Sequence, residues 1–296
     1  MKQSQELKKV LEKYRIYPSK RLGQNFLIDR SAVRKVIEAA ELKPEDIVLE
    51  IGPGLGALTI ELAKRVKKVI AIEKDPKMIE ILKKSIKEFK NIKIIKGDIL
   101  KLPLQISSTI VSQICKKMGY KVVANLPFYL TAPVIRKFLE STGGRPLQVI
   151  LVVQKEVGQR ICAKPPDMNL LAVSVQFYAK PEIISYISKK SFWPQPKVDS
   201  AIIKIIPKTQ NLQGVAPCKF FEIVRAGFSQ PRKQLINNLS RLNFSSKNLS
   251  GQAKNPKLNK ERVKDWLLEN NIQPTQRAET LSINNWINLT KTFKIN

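Results

Sequence analysis

Ile47-Val48-Leu49-Glu50-Ile51-Gly52-Pro53-Gly54-Leu55-Gly56 decides the fold. Its first five residues form a short apolar run of the kind that makes a buried parallel strand. The glycines that follow let the backbone bend sharply and let a ligand come close to it. Ala57-Leu58-Thr59-Ile60-Glu61-Leu62-Ala63 then opens a crossover helix. Strand, glycine turn and helix in this order begin an open α/β sheet, whose ligands bind at the carboxyl ends of its strands.

The next two strands carry acids at those ends. Val69-Ile70-Ala71-Ile72-Glu73 ends in a carboxylate about twenty residues after the turn, where it can accept both hydroxyls of an adenosine ribose. A helix over 76–89 leads to Ile92-Lys93-Ile94-Ile95-Lys96-Gly97-Asp98, whose acid is placed to accept from the adenine amino group. Each acid alone fits a cap or a turn; three strand ends carrying Gly-X-Gly-X-Gly, Glu and Gly-Asp in order are much less expected by chance. With Ala57 included, the turn also fits G-X-G-X-X-A, so it leaves open a nucleotide cofactor or S-adenosylmethionine.

Tyr120-Lys121-Val122-Val123-Ala124 is a fourth strand, closed by Asn125-Leu126-Pro127-Phe128. Pro127 cannot continue a ladder and holds Leu126 extended, so the strand stops there. An amide, two carbonyls and an aromatic ring suit a flat base that carries an amino group. Such an amine is a poor nucleophile because its lone pair is delocalised into the ring. If the Asn125 oxygen and a carbonyl near Leu126–Pro127 accept its two N–H bonds, the lone pair localises. Phe128 would stack on the base and fix its plane. No strong base is required, and the site works by positioning and electrostatics. Alone, the four residues also read as an ordinary Asn-X-Pro turn.

Upstream, residues 2–17 read as a charged helix or arm. Lys20-Arg21-Leu22-Gly23-Gln24-Asn25-Phe26-Leu27 reads by itself as a loop docking Phe26 and Leu27 on the core. Asp29 or Ser31 caps a helix through Glu41. Downstream come a helical stretch over 105–118, helix 131–140, strand 147–153 and helix 155–163. Residues 170–178 read as helix, with a strand possible at 172–175. Strands 182–187 and 200–206 would close the sheet as a hairpin. Between them, Phe192-Trp193-Pro194-Gln195-Pro196 is rigid enough to wall a base pocket, or is a Pro-stiffened connection. A polar linker at 207–217 precedes helical periodicity over 220–228, 231–242, 259–270 and 282–293. The domains expected are 1–207, with an N-terminal arm, and a smaller all-helical 208–296 that contacts RNA.

Lys and Arg number 53 against 24 Asp and Glu, a net charge of +29. That field repels itself and favours a polyanion, nucleic acid first. The chain has no histidine, which removes His-based acid–base chemistry, Ser-His-Asp triads and most zinc sites. Cys115, Cys162 and Cys218 are too far apart for a metal knuckle, and no metal is expected. No signal core and no apolar run long enough to span a bilayer is seen, so a cytoplasmic protein without membrane contact is expected.

With these pieces assembled, the chain resembles the ribosomal RNA adenine N6,N6-dimethyltransferases, most of all their small-subunit type. The resemblance runs over about residues 18–290. It rests on Leu22–Leu27, Glu50–Gly56, Glu73, Gly97-Asp98 and Asn125–Phe128. It continues through Gln154–Val157, Pro194–Ser200, Arg225–Gln230 and Arg277–Ser282, of which the last three are the more diagnostic, because glycine turns recur widely. The resemblance implies a Rossmann-like S-adenosylmethionine-dependent methyltransferase sheet and a small-subunit rRNA substrate within a pre-ribosomal particle, met by a monomer. It implies two methyl groups on each of two adjacent adenosines in a hairpin loop. Asn25, Leu27, Gly52, Glu73, Asp98 and Asn125 would line the cofactor site, with their neighbours Gln24, Gly54, Lys74 and Ile99. Asn125, Leu126 and Phe128 would act on the adenine. Apart from the resemblance, the cations Lys20, Arg21, Arg225, Arg232 and Lys233 read as RNA contacts or as solvated surface. Phe128 stands where the family more often has Tyr, residues 166–170 are shorter than expected, and Pro231 replaces a usual Arg. The competing readings are a large-subunit adenine methylase of the antibiotic-resistance kind and a non-catalytic rRNA-binding assembly factor.

Overall fold

The computed structural model of the protein describes residues 18, 23–102, 119–140, 144–208, 214–242 and 259–293. Lys20, Arg21, the 2–17 arm and the 105–118 stretch lie outside these. The chain divides into two compact units, Met1–Gln159 with Ala179–Pro207 and Arg160–Tyr178 with Lys208–Asn296.

In the first unit, β1 (Phe26–Leu27) leads into α1 (Arg30–Ala39), β2 (Ile47–Ile51), α2 (Ala57–Ala63), β3 (Lys68–Glu73), α3 (Pro76–Ser85) and β4 (Ile92–Lys96). After 103–118 come β5 (Lys121–Asn125), α4 (Thr131–Leu139), β6 (Gln148–Gln154), α5 (Lys155–Ile161), β7 (Ala179–Ile187), β8 (Phe192–Trp193) and β9 (Ser200–Pro207). Seven strands form one sheet in the order β4-β3-β2-β5-β6-β9-β7. The first five are parallel, whereas β9 runs antiparallel to both β6 and β7, as the expected hairpin.

This order places a switch point between β2 and β5, because the chain moves outward on one side to β4 and on the other to β6. Such a point leaves a crevice beyond the strand ends. Ile51 pairs with Ala124, so the next residues, Gly52 just past the end of β2 and Asn125 at the last position of β5, come beside each other at the sheet's edge. All five residues of β2 are buried, as a strand covered on both faces requires. Val36, Ile37, Val48, Leu58, Leu62, Val123 and Ile150 share one core that joins α1 and α2 to the sheet.

Caps set the helix starts. Asp29 accepts from the Ser31 N–H at 2.9 Å, and Asp75 from the Lys77 N–H at 2.9 Å with Pro76 behind it. Helix α3 stops at Ser85, short of the expected residue 89.

The second unit is helical among the described residues: α6 (Leu170–Tyr178), α7 (Pro217–Gly227), α8 (Leu235–Leu239), α9 (Lys260–Glu269) and α10 (Ile283–Thr292). Residues 160–178, expected in the first domain, group with the helices after Pro207. Phe177 stacks on Phe220 with centroids 4.0 Å apart and meets Phe221 edge-on at 5.3 Å, which draws α6 into that core. The helix expected over 231–242 shrinks to α8. Buried Asn238 donates to the carbonyls of Gly227 and Gln230, at 2.7 and 3.0 Å, and so holds a turn there instead. Among the described residues, no helix is long and apolar enough to cross a membrane.

Lys121 fixes the start of the strand that carries Asn125. Its buried Nζ lies 2.8 Å from Asp46 Oδ2 and 2.6 Å from the Glu41 carbonyl, and both charged side chains are only 10% exposed. Lys121→Met leaves Asp46 and that carbonyl without their cation. The unfolding free energy should fall by about 3 kcal/mol in a urea titration. A loss below about 0.5 kcal/mol would mean that the pair behaves like a surface ion pair.

Candidate active site

A cleft of about 840 Å³ opens beyond the carboxyl ends of β2, β3, β4 and β5. Gln24, Asn25, Leu27, Gly52, Gly54, Glu73, Lys74, Asp98, Ile99 and Asn125 all line it, and so do Leu126 and Phe128. Phe192, Pro196 and Ser200 bring the aromatic-Pro loop to the same wall. Arg225, Arg232 and Lys233 are exposed residues of the second unit and take no part in this cleft.

The glycine turn is the floor. Gly52 has φ +66°, and a Cβ built on it would meet nothing within 4 Å, so its bare backbone faces open cleft. A side chain there would be strained and would fill ligand space. Gly54 is pressed from below, since its Cβ would sit 3.2 Å from the Phe26 ring. Phe26 and Leu27 are held by pairing with Trp193 and Phe192 across β1 and β8. The 23–27 loop is therefore stapled beneath the turn, and Gln24 donates from Nε2 to Asp75 at 3.1 Å.

Three acids differ in setting. Glu73 accepts from the N–H groups of Gly54, Lys74 and Asp75 at 3.2, 2.8 and 2.9 Å. Burial pushes its carboxyl above the usual range, and the backbone N–H groups of Asp75, Gly54 and Lys74 oppose the rise. Those bonds fix the carboxylate and leave lone pairs for ligand hydroxyls. Asp98 accepts from Lys74 Nζ at 2.9 Å and from the Leu100 N–H at 3.0 Å. Burial pushes Asp98 up, but the Lys74 ammonium and the Leu100 N–H outweigh it, and the carboxyl ends below its usual range. Glu50 is 1% exposed yet reaches the cleft wall, and its Oε2 and the Thr59 hydroxyl both lack a hydrogen-bond partner among the described residues. Burial pushes its carboxyl up to about 8; the nearby Thr59 hydroxyl opposes that rise and Glu73 adds to it.

Asn125 is aimed by its own donor. Its Nδ2 gives a 3.0 Å hydrogen bond to the backbone carbonyl of Asn25. That oxygen can only accept, so it selects the amide orientation. Oδ1 is turned the other way and has no partner among the described residues. Of the two carbonyls beside it, Pro127 O accepts from the Leu130 N–H at 2.9 Å, while Leu126 O has no partner among the described residues. Two unused acceptors thus belong to consecutive residues that line the cleft together with Phe128.

Sequence reasoning missed several lining residues. Glu50 reads as one letter of an apolar strand, and nothing in its position signals exposure to a cleft. Tyr129 and the rim cations Arg30, Arg34, Lys64 and Arg65 were also overlooked. Lys64 and Arg65 both pair with Glu61, at 2.7 and 2.6 Å, as ordinary helix-face neighbours do.

The Glu50 environment makes stability depend on pH. Its folded pKa of about 8 lies above the ordinary 4.5, so the folded chain holds a proton that the unfolded chain has released between those values. Stability is full below about pH 4.5 and falls as pH rises towards 8. Glu50→Gln removes this loss. Thermal melts of the variant and the wild type should diverge in the variant's favour from pH 5 to pH 8; parallel melts would contradict the protonated carboxyl.

The chain is similar to known proteins over most of its length. The sequence pattern of the ribosomal RNA adenine dimethylase family matches residues 18–288. A "Ribosomal RNA small subunit methyltransferase A" of Dehalococcoides mccartyi (strain CBDB1) is 42% identical over 283 residues, covering 95% of this chain and 90% of that protein. The protein of the same name from Geobacillus kaustophilus (strain HTA426) is 40% identical, covering 93% and 91%. A dimethyladenosine transferase from Plasmodium falciparum superposes with a TM-score of 0.71 at 28% identity, covering 88% of this chain and 94% of that one. The 23S rRNA methyltransferase ErmE, at 23% identity and a TM-score of 0.67, shares the fold. This sheet, with its glycine turn and strand-end acids, is that of a methyltransferase, and the chain belongs to the ribosomal RNA adenine dimethylase family.

Proposed function

We propose that the protein dimethylates the N6 amino groups of two adjacent adenosines in a small-subunit rRNA hairpin loop, with S-adenosylmethionine as methyl donor. It acts as a cytoplasmic monomer on a pre-ribosomal particle. The observation that carries the reading is the pair of unused acceptors, Asn125 Oδ1 and Leu126 O, beside Phe128 on the cofactor cleft. An exocyclic amine has two N–H bonds to give, and two acceptors at this spot match them.

The cleft fits the cofactor. Gly52 leaves open space where a side chain would stand, and the Glu50 carboxyl, whose Oε2 has no partner among the described residues, reaches the same wall. Glu73 would take the ribose hydroxyls and Asp98 the adenine amino group, with Ile99 and Leu27 against the ring. When bound, S-adenosylmethionine supplies a methyl group that is electrophilic because it sits on a sulfonium.

Asn125 Oδ1 and Leu126 O accept hydrogen bonds from the amine's N–H groups and so draw its lone pair out of the ring. Phe128 holds the base plane, as a Tyr would, without the added hydroxyl. One proton leaves the nitrogen for each N–C bond formed, and the nitrogen is acidic enough by then to release it to water. A loop suits such a site, because the base must leave its stack to enter. The +29 charge suits the polyanion that carries it.

Labelled S-adenosylmethionine with under-methylated small subunits should yield dimethyladenosine in the subunit rRNA. Label that enters only naked large-subunit RNA would move the substrate to the other ribosomal subunit. Asn125→Ala should lower kcat by about 100-fold, the range seen when one preorganised polar contact is removed. Its cofactor affinity should fall less, and unchanged turnover would take Asn125 out of the mechanism. Glu73→Ala should instead weaken cofactor binding in a calorimetric titration by about tenfold or more, the loss of a charge-assisted hydrogen bond; an unaltered Kd would remove the ribose assignment.

A further inference from the structure

Tyr129 is the most exposed large hydrophobic side chain among the described residues, at 55%. It lines the cleft from the short turn Phe128–Leu130, directly after the residues that grip the target base. Its hydroxyl has no hydrogen-bond partner among the described residues. A ring left mostly in water forgoes the burial that usually stabilises an aromatic side chain.

The ring is nevertheless held in place. The 2.9 Å bond from Leu130 N–H to Pro127 O closes the turn beneath it. On one side it lies against the 23–27 loop, where a Cβ on Gly23 would come within 3.6 Å of its Cε1. Successive side chains on a turn of this tightness point about 120° apart, so Phe128 and Tyr129 cannot face the same base. The turn carries two rings in two directions at one cleft.

When an adenine swings out of its stack, the next base loses a stacking partner. An aromatic ring at the cleft mouth can replace that partner for any base, since every base has a π-face. We propose that Tyr129 is a positioning residue that stacks on the unpaired base next to the target adenine. This rests on the rRNA reading above and adds the means by which the neighbouring nucleotide is held while its partner is in the pocket. The ring, and not the hydroxyl, is what the contact needs.

The test is steady-state methyl transfer to under-methylated small subunits, together with calorimetric titration of S-adenosylmethionine. Tyr129→Ala and Tyr129→Leu should raise KM for the subunit about tenfold, in keeping with one lost base–aromatic stack. Their kcat should stay within about twofold and their cofactor Kd should be unchanged, which shows intact folding. Tyr129→Phe and Tyr129→Trp should keep the wild-type KM. A wild-type KM for Tyr129→Leu would overturn the proposal, because a side chain without a ring would then suffice. A raised KM for both Tyr129→Phe and Tyr129→Trp would overturn it too, since the hydroxyl would then be the working group. Absence of transfer by the wild-type protein would sink the substrate assignment and this proposal together. Normal wild-type transfer with an unaffected Tyr129→Leu variant would sink this proposal alone.

Discussion

The 3.0 Å hydrogen bond from Asn125 Nδ2 to the carbonyl oxygen of Asn25 bridges 100 residues of chain and settles which end of an amide faces the cleft. An asparagine presents a donor end and an acceptor end of nearly equal size. Against an aromatic amine only the acceptor end is useful. A backbone carbonyl at residue 25 occupies the donor end, so Oδ1 is the end left to accept. Preorganisation of this kind costs nothing at the moment of reaction.

That bond depends on two independent parts of the fold. One is the register of β5 against β2, which sets Asn125 beside Gly52. The other is the 23–27 loop, tied to β8 through Phe26 and Leu27 and wedged under Gly54 by the Phe26 ring. The acids follow the same logic. Glu73 is held by three backbone N–H groups and Asp98 by Lys74 and Leu100, so each is a fixed acceptor on the cleft wall. Glu50 is the exception, a buried carboxyl with an oxygen that nothing in the described chain satisfies.

Much of this was legible in the sequence because the determinants are local. Glycines at 52, 54 and 56 mark a strand-to-helix turn wherever they fall, and acids closing apolar runs at 73 and 98 mark strand ends. Pro127 marks the end of β5 for the same reason. What was not legible is whatever depends on distant partners. Nothing near Asn25 says that its carbonyl will orient residue 125. Residues 160–178 have a helical pattern but no local sign that their aromatics stack with Phe220. Helix 231–242 has good periodicity, yet the Asn238 side chain spends its donors on two carbonyls and shortens it. Tyr129 was hidden by its neighbour, since Phe128 already accounted for one aromatic contact and only exposure separates the two.

The most direct measurement is a crystal structure of the protein with S-adenosylhomocysteine and adenosine bound. The adenine N6 should lie about 3 Å from both Asn125 Oδ1 and Leu126 O, the usual hydrogen-bond distance. Nδ2 should still donate to Asn25 O, and the base should lie flat on Phe128. An amide turned so that Nδ2 faces the base, or an adenine seated away from Leu126, would contradict it.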